Sequence, residues 1–148
     1  MNIVNSMKLS FISKSANESF ARAAVAAFLL PLDPTVAEIA DVKTAVSEAV
    51  TNAIVHGYPD TFGTVYIDMK LTDTGKAIIK IRDKGVCIPD IEKAMEPLYT
   101  TSSDERAGLG FAVMQSFTDS VKVRSTVGKG TTVTLEKNII RAATHGQK

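Results

Sequence analysis

The chain has 148 residues, room for one domain with a sizeable core but not for two. It is 45% hydrophobic and 22% charged, which excludes a disordered or fibrous protein. A formal charge of +1 lacks the basic excess that releases counterions from nucleic acid, so direct DNA or RNA binding is disfavoured.

Met7, Leu9 and Phe11 alternate with Lys8 and Ser10, which predicts a short strand with one buried face. Ser15-Ala-Asn-Glu18 fits a capping box opening a helix that runs to about Leu30. Phe20, Ala24, Ala27 and Phe28 make one apolar stripe on it, while Glu18, Arg22, Val25 and Leu29 share the opposite side. A helix apolar on both sides is expected between its own core and a partner. Pro31-Leu-Asp33-Pro34 breaks it, with Asp33 as N-cap and Pro34 as the first residue of the next helix. Val36, Ile39, Val42, Val46, Ala49, Val50 and Ala53 keep helical spacing, and Gly57 is expected as a left-handed C-terminal cap.

Thr64 to Leu71 and Lys76 to Asp83 then alternate around Thr72-Asp-Thr-Gly75, a hairpin pattern. A loop from Lys84 to Asp90 follows, then a short helical stretch around Ile91 to Met95 and a polar segment from Pro97 to Ala107. A further helix is expected from Gly108 to about Phe117. Val121 to Thr126 and Thr131 to Lys137 are the last strands, turning at Val127-Gly-Lys-Gly130. Both chain ends, 1–6 and 141–148, are expected to fray. Consecutive hairpins, without βαβ alternation, predict a single-domain α+β two-layer sandwich: a mainly antiparallel five-stranded sheet with helices on one face.

The single cysteine, Cys87, excludes an internal disulfide, and two histidines cannot complete a usual zinc site with it. The longest apolar run, Ala23 to Leu30, falls short of the ~20 residues that span a bilayer, and no export pattern opens the chain. A cytoplasmic protein without membrane contact is the expectation.

Several short patterns carry chemistry. Glu48-Ala-Val-Thr-Asn52 puts a carboxylate and an amide on one helix face, one turn apart. A neutral amide oxygen suits phosphate-bound Mg²⁺, and a neighbouring carboxylate can take a proton from an incoming hydroxyl; a solvated polar face would look the same. Asp83-Lys-Gly85 ends a strand with an acceptor-only group, which can take the N6 amino donor of adenine and would repel the O6 acceptor of guanine; Gly85 would let backbone approach the base. Arg106-Ala-Gly108-Leu-Gly110 places two glycines at the expected start of a helix, where amides favour phosphate. Val113 stands where a Rossmann fingerprint needs glycine, and Gly128-Lys-Gly130 is a hairpin turn, since Ser or Thr is missing after Lys129.

The order of these patterns, with Gly130-Thr131 opening a strand, resembles the GHKL ATPase superfamily and its Bergerat ATP-binding fold. Within it the wording is similar to the bacterial anti-sigma factor serine kinases, above all those of sporulation. That likeness runs from about Met7 to Leu135. It is carried by Asn17-Glu-Ser-Phe-Ala-Arg22, Ser47-Glu-Ala-Val-Thr-Asn-Ala53, His56-Gly-Tyr58, Ile88-Pro-Asp-Ile91 and Lys129-Gly-Thr-Thr-Val133.

The resemblance implies a protein serine/threonine kinase that uses ATP with Mg²⁺ and holds ADP. Its phosphoryl acceptor would be a serine of an anti-anti-sigma antagonist. The same domain would bind and inhibit a sporulation sigma factor as a homodimer, with Arg22 touching the partner. Asn52 would coordinate the Mg²⁺ bridging the phosphates and Glu48 would be the general base. Asp83 would bind adenine, supported by Gly85 and Thr131. Pro97 to Gly110, including Thr101, would form the ATP lid, with Gly108 and Gly110 cradling phosphate and Arg106 facing the γ-phosphate. A stress-response relative, a nucleotide-gated module without turnover and, more remotely, a histidine-kinase catalytic domain are the alternatives. Cys87 departs from the family, which usually has glycine there. A cysteine at positive φ would carry about 1–3 kcal/mol of strain and weaken nucleotide affinity.

Overall fold

The computed structural model describes residues 2–86 and 102–140, the stretch 102–108 as backbone only. Strands β1 (Ile3–Ile12), β2 (Thr64–Thr72), β3 (Lys76–Asp83), β4 (Ser120–Thr126) and β5 (Gly130–Asn138) form one sheet in the order β1-β2-β3-β5-β4. Every neighbouring pair is antiparallel. Helices α1 (Asn17–Leu29), α2 (Val36–Asn52) and α3 (Ser102–Phe117) cover one face, with α2 packed between the other two. The expected α+β layering and antiparallel sheet are therefore what the chain adopts.

Alternation along the strands decides the two faces, because successive side chains point to opposite sides of a sheet. Met7, Met69, Ile79, Leu135 and Val121 stand in register across all five strands and face the helices. One residue on, Lys8, Asp68, Lys80, Thr134 and Lys122 form the matching row on the open face. From the helical side, Ala21, Val25 and Leu29 of α1 and Val42, Ala45, Val46, Ala49 and Val50 of α2 complete the core. Lys137 ties the layers together: its ammonium donates to Asp41 of α2 at 3.1 Å and to the Phe117 carbonyl ending α3 at 3.0 Å.

The helix boundaries differ from expectation in four places. Ser15–Glu18 is not a capping box: Ala16 is the N-cap of α1 and no side chain caps it. Glu18 points instead to α2, accepting a hydrogen bond from the Ser47 hydroxyl and lying 3.8 Å from Arg22. Of the two sides of α1, the one with Val25 and Leu29, joined by Ala21, faces the core, while Phe20 on the other is 53% exposed and meets Phe11 edge-on. Asp33 is not the N-cap of α2. It closes a 3₁₀ turn over Leu30–Leu32 in the left-handed region, and Thr35 caps α2 with a true capping box to Glu38. The Glu38 amide donates to the Thr35 hydroxyl at 3.1 Å and the Thr35 amide to the Glu38 carboxylate at 2.8 Å.

After Asn52 the helix widens into a π-helical turn, Ala53–Gly57, and Gly57 does not have the positive φ expected of a left-handed cap. Finally, α3 begins at Ser102, six residues before Gly108. The expected short helix around Ile91 to Met95 lies outside the described residues, as do Cys87, the lid residues from Pro97 to Thr101 and the tail 141–148; residues 3–6, expected to fray, instead open β1 and pair with β2.

Candidate nucleotide site

Two clusters of site residues form at opposite ends of the π-helical turn. The first is on α2. Glu48, Thr51 and Asn52, with Leu109, Gly110 and Val113 of α3, line a cavity of about 260 Å³. Here α3 approaches closely because Gly110 has no side chain. A Cβ at that position would sit 3.2 Å from both the Asn52 amide nitrogen and a Glu48 carboxylate oxygen. The Asn52 amide nitrogen is buried and has no hydrogen-bond partner among the described residues. Leaving such a group unpaired costs about 1–3 kcal/mol, so the pocket is built for something that bonds the amide. Which amide atom faces the cavity is a matter of a simple flip, and the oxygen is a hard donor suited to Mg²⁺. Among the described residues no group of three or more His, Cys, Asp or Glu could hold a metal by itself. A divalent ion at Asn52 would therefore draw most of its ligands from phosphate oxygens and water, as Mg²⁺ usually does. The donor set fits phosphate-borne Mg²⁺.

The second cluster surrounds Asp83, the last residue of β3, which is 5% exposed. Asp83 and Thr131 are paired across β3 and β5, and Ser125 of β4 continues the row, its hydroxyl 2.8 Å from that of Thr131. The Gly85 amide donates to the Asp83 carboxylate at 3.0 Å. Burial pushes the Asp83 carboxyl up to about 6, and backbone N–H donors from Gly85 and Thr131 hold it back from rising further.

Backbone is packed around this carboxylate at three glycines. A Cβ on Gly57 would lie 2.8 Å from the Asp83 carboxyl carbon, and one on Gly85 only 1.8 Å from the Gly57 carbonyl oxygen, which accepts the Val86 amide at 2.7 Å. One on Gly130 would lie 2.1 Å from the Asp83 carbonyl oxygen, and Gly130 also has φ +95°. Gly85 is thus required by the close pass of Gly57, a reason separate from any approach to a base.

The structure brings Glu48, Asn52 and Gly110 together, and separately Asp83, Gly85 and Thr131. The π-helical turn joins the two groups: Asn52 precedes it and Gly57, its last residue, touches Asp83. Only this one turn of chain separates the two groups. Asp83 does not line the Glu48–Asn52 cavity. Gly108 and Gly110 lie within α3 rather than at its start, so their amides are committed to helical bonds and do not form the expected phosphate cradle. Arg106 is described as backbone only and Thr101 lies outside the described residues.

Two residues escaped the sequence reading. Gly57, expected as a cap, instead forms the floor under Asp83. Tyr58 was given no role, yet its hydroxyl accepts from the Lys84 amide at 2.7 Å and donates to the Thr64 carbonyl at 2.8 Å, clamping β2 to the loop after Asp83. Burial raises the Tyr58 phenol above its ordinary value, so the clamp keeps its proton. The run His56-Gly-Tyr58 was the available signal.

The model of the histidine kinase-like ATPase domain matches residues 13–137. The chain belongs to that family. Curated relatives agree over nearly the whole length. A protein of Thermoanaerobacter sp. named anti-sigma F factor is 56% identical over 140 residues, which are 94% of this chain and 97% of the relative. One of Geobacillus kaustophilus with the same name is 53% identical, covering 93% and 95%. Among solved structures, the RsbU and RsbW domains of a Mycobacterium tuberculosis protein superpose with TM-score 0.69 at 20% identity, covering 92% of this chain and 32% of that one, a likeness of fold alone. Membership in the family entails ATP or ADP binding and an ATP-dependent, kinase-type activity.

Proposed function

We propose that the chain is an anti-sigma factor of the sporulation type that transfers phosphate from Mg-ATP to a serine of its anti-anti-sigma antagonist. The names of the relatives support the sigma factor and its antagonist as partners. The observation that carries the chemistry is the buried, unbonded Asn52 amide beside Glu48 in one cavity. Bound Mg-ATP supplies the phosphoryl group and the neutralising metal charge. In phosphoryl transfer most of the remaining work is positioning and electrostatics. Asn52 holds the metal-bearing end of the nucleotide, and Asp83, with Thr131 and Gly85, holds adenine.

Glu48 is placed to serve as general base. Its side chain also borders a second cavity, of about 360 Å³, lined by Arg22, Ala40, Lys43, Thr44 and Ser47. Glu48 thus stands on the wall between the Asn52 cavity and a groove that carries two cations. The acceptor hydroxyl enters from that groove and gives up its proton to Glu48 as its oxygen bonds the γ-phosphorus, the bond from that phosphorus to the β-phosphate oxygen breaks, and ADP leaves. Arg22, whose side chain is 39% exposed, is the partner-contacting residue of the groove. Arg106, in the first turns of α3, neutralises the γ-phosphate. A homodimer in the cytoplasm is part of the same reading, and no helix among the described residues is long and apolar enough to cross a membrane.

The decisive experiment combines the protein, Mg-ATP and the antagonist, with phosphoserine read by mass spectrometry. Transfer is expected, and Glu48→Gln should lower it by 10²-fold or more, the usual worth of a general base, with ADP affinity kept. Transfer undiminished in Glu48→Gln removes the base assignment. Partner binding that responds to ATP while no phosphoserine forms would leave a nucleotide-gated module without turnover.

A further inference from the structure

The even charge of the whole chain conceals a strong segregation. On the open face of the sheet, eight cations meet two carboxylates, Asp68 and Glu136. Glu136 is already taken by Lys76 at 3.1 Å, and none of the other ion pairs among the described residues uses a cation of this face. Because the chain sums to +1, the rest of the molecule is net acidic. The strand register makes the cations a grid. Lys8, Lys80 and Lys122 occupy one row, and Arg82 and Arg124 the next, with Lys70 and Lys84 flanking. With strands about 4.8 Å apart, cations on alternate strands stand about 10 Å apart, and the two rows are separated by about 7 Å.

We infer that this face binds the phosphate backbone of nucleic acid without reading its sequence. A protein partner fits the surface poorly. Protein interfaces gain their energy from buried apolar and aromatic anchors and are depleted of lysine at their cores. Here the large apolar groups are Ile78, Tyr66 and, at the end of the edge strand, Ile12, and the Tyr66 ring is already covered by Arg82 at 4.7 Å and Lys84 at 5.0 Å. Nucleic-acid interfaces, by contrast, are polar and strongly positive, and hydroxyls add hydrogen bonds to phosphate. Thr132 and Thr134 stand between cations in the same two rows, and Ser10 ends one of them. The face lies opposite the helices that carry Glu48 and Asn52, so it is open whether or not nucleotide is bound.

The test is fluorescence anisotropy of a labelled random duplex of about 20 base pairs, titrated with the full chain between about 50 and 200 mM salt. If about four cations each neutralise a phosphate, log K falls with log salt at a slope near −3.6, a loss of about 150-fold over that range. Lys80→Gln with Lys122→Gln should reduce the slope by about 1.8, with thermal melting and ADP affinity unchanged to show that the fold persists. No binding at about 50 mM salt, or an unaltered slope in the double variant, overturns the inference. So does competition by polyglutamate as effective as by the oligonucleotide, which would mark an acidic protein surface. Tighter binding to phosphatidylserine vesicles than to the duplex would point to a membrane and overturn it equally.

Discussion

Acidification should act on this protein in two opposite directions through one carboxylate. Burial lifts Asp83 to about 6, above its ordinary 3.8. Between those two values the folded chain holds a proton that the unfolded chain has released. The contribution of Asp83 to stability therefore falls as pH rises through that window and is level above it. In its proposed role at adenine, Asp83 must be ionised to accept from N6, so binding runs the other way. With a value of about 6, the ionised fraction is about 97% at pH 7.5 and about 9% at pH 5, a drop of about tenfold in affinity. Calorimetric titration with adenosine isolates this effect, because adenosine carries no phosphate that titrates in the same range. Asp83→Asn should remove the pH dependence and, by losing a charge-assisted hydrogen bond of about 1.5–3 kcal/mol, weaken binding at pH 7.5 by about tenfold or more. Adenosine affinity that stays flat from pH 7.5 to 5, or a slope that survives in Asp83→Asn, would refute the assignment of Asp83 to the base.

Other expectations follow from close packing and from caps. Gly85→Ala should cost about 3 kcal/mol or more, because its Cβ would lie 1.8 Å from the Gly57 carbonyl oxygen; a urea midpoint close to wild type would show that the loop can move aside. Gly110→Ala should raise intrinsic helix propensity by about 1 kcal/mol while crowding Asn52 and Glu48. Its signature is undiminished melting temperature with weakened Mg-ADP binding, and parallel losses of both would count against it. Thr35→Ala should cost about 1 kcal/mol through the lost capping box, lowering the melting point by about 2–4 °C. No change on calorimetric scanning would return the capping role to another residue.

The strands were legible because alternation is a direct record of a sheet with one buried face: Thr64 to Asp83 shows it with a turn in the middle. Order along the chain also exposed the pairs Glu48–Asn52 and Asp83–Thr131, although only register shows that the latter are cross-strand neighbours. Helix starts were less legible. Thr35-Val-Ala-Glu38 has the same Thr-x-x-Glu spacing that was credited to Ser15–Glu18, and only tertiary contact decides between them. Glu18 is drawn to Ser47 across the helix pair, whereas Glu38 reaches back to its own cap. Ser102 to Ala107 carries no apolar period, so periodicity alone starts α3 too late, though Ser102-Ser-Asp-Glu105 has a start signal of the same kind. At Gly57 the local sequence offers only a cap, because it cannot reveal that the missing side chain makes room for Asp83. Surface segregation of charge is invisible in a net total, and appears only once alternate residues are sorted onto two faces.

The wide turn at Ala53–Gly57 amounts to one surplus residue in a helix. Each residue of an ordinary helix turns the chain by about 100°. Deleting one there would restore regular winding and swing Asn52 about a quarter-circle away from its present bearing relative to Asp83. The Asn52 amide and the Asp83 carboxylate are thus phased by a single insertion. Length at this turn, more than the identity of any side chain within it, sets whether one molecule of nucleotide can reach both.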